Sequence, residues 1–194
     1  MKQLTDRQEE IINASIEIIS KKGIQKLTIK NLSKKIGISE PAIYRHFENK
    51  IGILLTILSK FENYIFTDTE LIFNDNLSPF KKLEWIFKHH FSYFKKNPAF
   101  AAVIFAEEIF RDDNRLSEKI HTIITKNFEM MLSIVKKGQA SGEIRSDIES
   151  DQIVLIIMGG LRLLVKKWKL SNHSFNLEDE GAKLWSTINK LITD

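Results

Sequence analysis

The chain has 194 residues, and with 43% of them hydrophobic it can bury the core of one or two domains. It contains no cysteine, which excludes disulfides, thiolate metal sites and cysteine nucleophiles. No apolar run is long enough to cross a membrane, and the charged N-terminus does not resemble a signal peptide, so we expect a cytoplasmic protein with no membrane partner.

The formal net charge of +4 is unevenly distributed along the chain. Residues 1–60 carry eleven basic and six acidic side chains, a net charge of +5, whereas residues 61–194 carry eighteen and nineteen, a net charge of −1. An excess of this size also arises from ordinary scatter over a solvated surface. If it has a function, that function is to attract an anionic partner such as DNA to the N-terminal segment.

The first predicted helix runs from about Asp6 to Lys22. Thr5 and Gln8 fit a capping box, in which the side chain of each residue accepts a hydrogen bond from the backbone N–H of the other. Apolar residues then recur at helical spacing, and Gly23 ends the helix.

Two short helices separated by a tight turn are predicted next. Thr28 is the expected N-cap of the first of them, and Gly37 stands where that helix must stop with a positive φ. Ser39 caps the second helix, and Pro41 lies in its first turn, where a missing N–H costs little. Two helices joined by a glycine-containing turn of three or four residues form a helix-turn-helix, whose second helix enters the major groove of DNA.

The remaining sequence shows no strand alternation and indicates further helices only. Ser78-Pro79 and Asn97-Pro98 each give the start signal of a capping residue followed by proline. One predicted helix begins at Pro79 and ends before the Asn97-Pro98 signal. The others lie at about residues 49–73, 98–110, 113–137, 151–170 and 177–192. The sequence therefore predicts an all-α protein.

Residues 11–55 of the chain resemble the TetR/AcrR family of bacterial transcriptional regulators. The most specific part is the segment 28–50, TIKNLSKKIGISEPAIYRHFENK, with its cluster Gly-Ile-Ser, Ile-Tyr-Arg-His-Phe and Lys. The resemblance implies an N-terminal three-helix helix-turn-helix domain (residues 1–48) that binds operator DNA. It further implies a C-terminal helical bundle (residues 49–194) that binds a small-molecule effector and forms a homodimer. Most such proteins are repressors that release DNA when the effector enters.

Nine residues are predicted to contact DNA: Thr28, Lys30, Ser39, Glu40, Ala42, Tyr44, Arg45, His46 and Lys50. Tyr44, Arg45 and His46 are predicted to lie on the second helix of the motif. In the family, the positions of Tyr44 and His46 tend to touch phosphates, and that of Lys50 does so from the start of the next helix. The N-terminus of the first motif helix, with Thr28 and Lys30, can also bind phosphate. The other positions face the groove, where Arg45 can donate two hydrogen bonds to a guanine edge. The alternative is that all nine are ordinary exposed residues.

Aromatic residues are concentrated in residues 61–110, which hold 13 of the 19 in the chain. Most of them are expected in a helical core, but the resemblance implies that this region also lines an apolar pocket. Such a pocket suits a flat aromatic or a lipophilic acyl group. The predicted ligand-binding residues are Phe61, Tyr64, Trp85, Phe91 and Phe105, with Glu107 or His121 as a polar anchor.

The segment 151–164, DQIVLIIMGGLRLL, is nearly uncharged and apolar almost all round, which is typical of a helix buried on more than one side. Gly159-Gly160 would let another helix approach closely. Together, residues 151–170 and 177–192 are predicted to form a four-helix dimer interface across a two-fold axis. The alternative is an internal core helix without a partner.

Catalysis has little support, because the chain has no glycine-rich phosphate loop and no nucleophile elbow. His89 and His90 are adjacent and point to different helix faces, so neither a metal site nor any other cofactor is predicted. We therefore expect a repressor released by a small apolar or aromatic ligand. The alternatives are a regulator that acts through protein contacts without operator binding, and a helical lipid carrier or enzyme.

Overall fold

The computed structural model describes residues 4–73, 76–105 and 113–193. These residues form α-helices and one 3-10 helix (Ile24–Lys26), with no strand among them, which confirms the predicted all-α fold. The helices are α1 (Asp6–Lys22), α2 (Ile29–Ile36), α3 (Glu40–Tyr44), α4 (Lys50–Phe73), α5 (Pro79–Lys96), α6 (Pro98–Ile104), α7 (Asn114–Ala140), α8 (Ser150–Leu170) and α9 (Leu177–Ile192).

The helix starts follow the capping residues that the sequence predicts. The hydroxyl of Thr5 accepts from the N–H of Gln8 at 3.3 Å, and the Gln8 side chain accepts from the N–H of Thr5 at 3.0 Å, which completes the capping box. Ser78 caps α5, with Pro79 in the first turn. These contacts span three residues or fewer, so local sequence is enough to specify them.

The structure corrects the predicted end of the long helix over 113–137. The helix α7 continues to Ala140, and Gly138 lies inside it and not beyond its end. A Cβ at Gly138 would lie 2.5 Å from Cδ1 of Ile144, so any larger residue here would force the Ile144 side chain to move. The predicted end of the helix over 98–110 lies outside the described residues.

The chain divides into two compact units. Unit one contains Met1–Asn63 and Pro98–His121, and unit two contains Tyr64–Asn97 and Thr122–Asp194. In unit one, α1 packs against α2, the 3-10 helix and α6. In unit two, α9 packs against α5 and α8, and Gly181 of α9 leaves room for the ring of Phe91. The compact units thus place residues 98–121 with the N-terminal segment. The predicted boundary between a DNA-binding domain (residues 1–48) and a ligand-binding domain (residues 49–194) stays a prediction.

Within the part of the chain that the structure describes, no helix is both long enough and apolar enough to span a bilayer.

Candidate nucleic-acid interface and ligand-binding region

The turn between α2 and α3 has the geometry of a helix-turn-helix. The hydroxyl of Thr28 accepts from the N–H of Asn31 at 3.1 Å and caps α2. Gly37 adopts a left-handed conformation (φ 78°, ψ 29°), and its N–H donates to the carbonyl of Ser33. The hydroxyl of Ser39 then caps α3 by accepting from the N–H of Ala42 at 3.3 Å.

The inner face of this motif is packed into the core of unit one. Leu32 of α2 and Ile43 of α3 are completely buried, together with Ile11 and Ile12 of α1, and Phe47 is nearly so. Because Ile43 faces inward, the opposite side of the short α3 faces solvent. Tyr44, the next residue, is 51% exposed, which is unusual for a large aromatic residue.

The nine predicted DNA contacts differ in exposure. Exposed are Thr28, Lys30, Ser39, Glu40, Tyr44 and Arg45, and half-buried are Ala42, His46 and Lys50. The prediction that Arg45 and His46 lie on the second helix is wrong, because α3 ends at Tyr44. Arg45 keeps a helical conformation as the C-cap. His46 follows in a tighter turn, and the backbone N–H of His46 donates to the carbonyl of Ile43.

Lys50 has a structural contact in addition to its predicted role. Its ammonium group donates to the carbonyl of Ile24 at 3.4 Å and so ties the start of α4 to the 3-10 helix. The neighbouring Asn49 accepts from the N–H of Gly52 at 3.0 Å, close to the start of α4.

Ion pairs that the sequence analysis missed hold this motif in place. Glu17 of α1 pairs with Lys21 of the same helix and with Lys35 of α2, each at 2.8 Å. Hydrogen bonds from Lys21 and then Lys35 lower the pKa of Glu17 to about 2. Lys60 of α4 pairs with Glu9 of α1 at 2.5 Å. Two of these three pairs, Glu17 with Lys35 and Glu9 with Lys60, join residues far apart in sequence, so only the tertiary fold reveals them.

The predicted ligand-binding residues are divided between the two units. In unit one, Phe61 is buried with its ring centroid 6.2 Å from that of Phe100, Phe105 is half-buried, and His121 is exposed. Tyr64, Trp85 and Phe91 belong to unit two. Glu107 lies outside the described residues.

Four aromatic rings of unit two form a continuous stack. The ring centroids of Tyr93 and Tyr64 are 3.7 Å apart, those of Tyr64 and His89 5.1 Å, and those of His89 and Trp85 4.2 Å. His89, weighed above as a metal ligand, is thus held between two aromatic faces, and Tyr93 is buried, which raises the pKa of its phenol.

Trp85 and Phe91 line an open groove of about 360 Å³ together with Glu178 and other residues of unit two. The Glu178 carboxylate is paired with Lys95, and hydrogen bonding to Lys95 lowers the pKa of Glu178. Of the predicted ligand-binding residues, these two are therefore brought to one groove.

The predicted dimer helices expose part of their apolar surface. On α8, Leu155, Ile156, Gly159 and Leu163 face outward, with Leu163 68% exposed. Gly160, in contrast, faces the same chain: a Cβ there would lie 3.4 Å from Leu184 of α9, whereas one at Gly159 would meet nothing within 4 Å. Of the two glycines expected to let another helix approach closely, Gly160 therefore does so for α9 of the same chain, and a partner helix at Gly159 stays a prediction.

Comparison with known proteins agrees with this architecture. Residues 11–57 match the family described as bacterial regulatory proteins, tetR family, and residues 59–193 match the family described as YsiA-like protein, C-terminal region. The chain belongs to the TetR family. It is a DNA-binding transcriptional regulator, as the helix-turn-helix indicates. The resemblance found in the sequence is therefore confirmed.

Individual relatives of this TetR-family regulator match nearly its whole length. It is 23% identical over 177 residues to the fatty acid metabolism regulator protein of Bacillus subtilis, covering 91% of each chain. It is 27% identical over 188 residues to the nucleoid occlusion factor SlmA of Aliivibrio fischeri, covering 96% of each chain. A solved structure of the regulator FadR from Bacillus subtilis in complex with stearoyl-CoA superposes with a TM-score of 0.80 at 23% identity, covering 93% of this chain and 96% of that one.

Proposed function

We propose that this TetR-family regulator is a homodimeric repressor that leaves its palindromic operator when it binds a lipophilic acyl ligand. The observation that carries the acyl proposal is the similarity, over nearly the whole chain, to a regulator solved with stearoyl-CoA. The aromatic and apolar character of residues 61–110 supports the same class of ligand. We further propose that the protein acts by binding and not by catalysis, and that it does so in the cytoplasm, where bacterial operators lie.

The exposed side chains of the helix-turn-helix support specific roles on DNA. Tyr44 offers a hydroxyl to a phosphate oxygen, and Lys30 beside the N-terminus of α2 offers a cation to another. Arg45 offers the two parallel donors that match the O6 and N7 atoms of guanine. The remaining predicted contacts, Thr28, Ser39, Glu40, Ala42, His46 and Lys50, are proposed as supporting contacts to phosphates and groove edges.

A route from ligand to DNA can be proposed within unit one. Phe61 of α4 packs near Phe100 of α6, and α6 packs against α1 of the DNA-binding segment. Lys60, next to Phe61, is paired with Glu9 of α1. A ligand that displaces either phenylalanine would therefore shift α4 and α6 against α1. A tenfold loss of DNA affinity requires a coupling of only about 1.4 kcal/mol.

Homodimerisation is proposed through the outward face of α8 together with α9. Leu155, Gly159 and Leu163 recur at intervals of four residues and so share one face of the helix. A contiguous exposed apolar face is typical of an interaction surface. A second copy related by a two-fold axis would cover this face with the same residues. The resulting dimer would present two DNA-binding segments to two half-sites.

The test is DNA binding with and without acyl thioesters. Duplexes selected from a random library should contain a palindrome, and fluorescence anisotropy should show stearoyl-CoA weakening its binding at least about tenfold. Acetyl-CoA is the matched control, because it carries the same polar group without the long chain, and it should have no effect. Unchanged affinity with stearoyl-CoA, or an equal effect of both thioesters, would contradict the acyl proposal.

A second candidate function is regulation through a protein partner. The relative that is 27% identical over 96% of the chain is named for nucleoid occlusion and not for the control of a metabolic pathway, which leaves room for such a role. Selective DNA binding that responds to neither thioester would favour this candidate. A protein with no preference among duplexes would instead favour a partner-binding regulator without operator recognition or a helical lipid carrier.

A further inference from the structure

His90, in unit two, is a buried polar side chain with one unpaired ring nitrogen. Three polar side chains are buried among the described residues: Ser15, Ser33 and His90. The two serine hydroxyls donate to backbone carbonyls at 2.7 Å and 3.0 Å and are satisfied. His90, by contrast, has one ring nitrogen, Nε2, that is buried without a hydrogen-bond partner among the described residues.

The other ring nitrogen fixes the tautomer of His90. Nδ1 lies 2.7 Å from the carbonyl oxygen of Ile86, one turn earlier in α5. A carbonyl oxygen only accepts, so Nδ1 must carry the proton, and in the neutral ring Nε2 is then an acceptor. Burial lowers the pKa of His90 and keeps the ring neutral. Only a donor group can therefore pair with Nε2.

The surroundings of this acceptor are apolar. On the same face of α5 lie Ile86, Phe87 and Phe94, each no more than 2% exposed. Asn127 of α7, also in unit two, has a second buried acceptor oxygen with no described partner. Buried polar atoms in folded proteins are nearly always hydrogen-bonded, so the acceptor at Nε2 points to a donor group that binds there.

We propose that Nε2 of His90 accepts a hydrogen bond from an O–H group of an otherwise apolar ligand, so that the regulator prefers a hydroxylated acyl chain to a plain one. This inference rests on the proposed acyl ligand and specifies its chemistry. A plain acyl chain would leave Nε2 unpaired in the apolar core, whereas a hydroxyl at the matching depth would satisfy it.

The experiment measures binding of stearoyl-CoA and of its 3-, 12- and 18-hydroxylated forms to the full chain by calorimetry. At least one hydroxylated form should bind the wild type about fivefold more tightly than stearoyl-CoA. His90→Phe keeps a flat ring but has no acceptor, so in this variant the hydroxylated forms and stearoyl-CoA should bind with equal affinity. His90→Gln can present an acceptor oxygen and should retain part of the preference.

A measurement on the wild type alone guards against a variant that does not fold. The ¹⁵N resonance of His90 Nε2 should shift when the preferred hydroxylated form binds, and should not shift with stearoyl-CoA. Absence of any preference, or a preference that survives in His90→Phe, would overturn the assignment and leave the acyl proposal intact. Failure of all four thioesters to bind would remove both proposals.

Discussion

Single residues set the geometry of the DNA-binding segment. Gly37 supplies the left-handed turn, and the hydroxyls of Thr28 and Ser39 cap the two helices on either side of it. Each of these residues acts on backbone groups no more than four positions away, so its role follows from its own chemistry. Tyr44 and Arg45 then stand exposed at the end of α3, where the helix stops but the chain still faces solvent.

Arg45 gives a prediction about base preference at this scale. Arg45→Ala should weaken binding to the selected operator by about 1–3 kcal/mol and relax the preference at one base pair, because the paired donors to guanine are lost. Arg45→Lys is the matched control: it keeps the charge without the planar fork, so affinity for random duplex should persist while the preference falls. Binding of a library of single-base operator variants measures both effects, and an unaltered preference in Arg45→Ala would exclude base contact by this residue.

At the scale of elements, α1 and α2 are joined by charge as well as by apolar packing. Glu17 accepts from Lys21 and Lys35 and thereby bridges one turn of α1 to the end of α2. Glu9 and Lys60 make a second bridge, from α1 to α4. Surface ion pairs contribute little individually, so their main effect is to fix the orientation of elements that the core already holds together.

This bridge predicts a pH-dependent contribution to stability. The pKa of Glu17 falls from 4.5 to about 2 on folding, so the carboxylate stabilises the folded state above about pH 4.5. That contribution is lost as the pH falls toward 2. Glu17→Gln should therefore lower the melting temperature at pH 6, and the difference from the wild type should shrink between pH 4.5 and pH 2.

The control is Glu129→Gln, a change at an exposed position of α7. It should alter the melting temperature little at either pH. A Glu17→Gln difference that stays constant with pH would mean that the ion pairs contribute nothing measurable.

At the scale of the whole molecule, the proposed function requires two copies of the chain. Gly159→Arg places a charge on the proposed dimer face, at a position where a Cβ meets nothing within 4 Å in the same chain. The fold of the single chain should therefore survive, while dimerisation weakens by several kcal/mol if the charge is buried unpaired. Light scattering should detect monomers at micromolar concentration, and operator affinity should fall with the loss of the second half-site contact.

Ser133→Arg, an exposed position on α7, adds the same side chain away from the proposed face and should leave the dimer intact. A wild-type monomer, or a dimer unaffected by Gly159→Arg, would contradict this interface.

The sequence by itself determined the helices, their caps and the helix-turn-helix. Periodicity and capping depend on residues within one or two turns, and the segment 28–50 is specific enough to indicate the family. Local signals failed at the ends of elements. Gly138 reads as a helix stop but lies inside α7, and α3 stops before Arg45.

Only the tertiary structure decided which side chains meet. It assigns residues 98–121 to the same compact unit as the DNA-binding segment, pairs Glu9 with Lys60, and turns Gly160 inward but Gly159 outward. It also buries Nε2 of His90 without a partner among the described residues. In the sequence, nothing distinguishes His90 from the adjacent His89. These outcomes depend on how distant helices pack, and no spacing along the chain encodes the rotation of one helix against another.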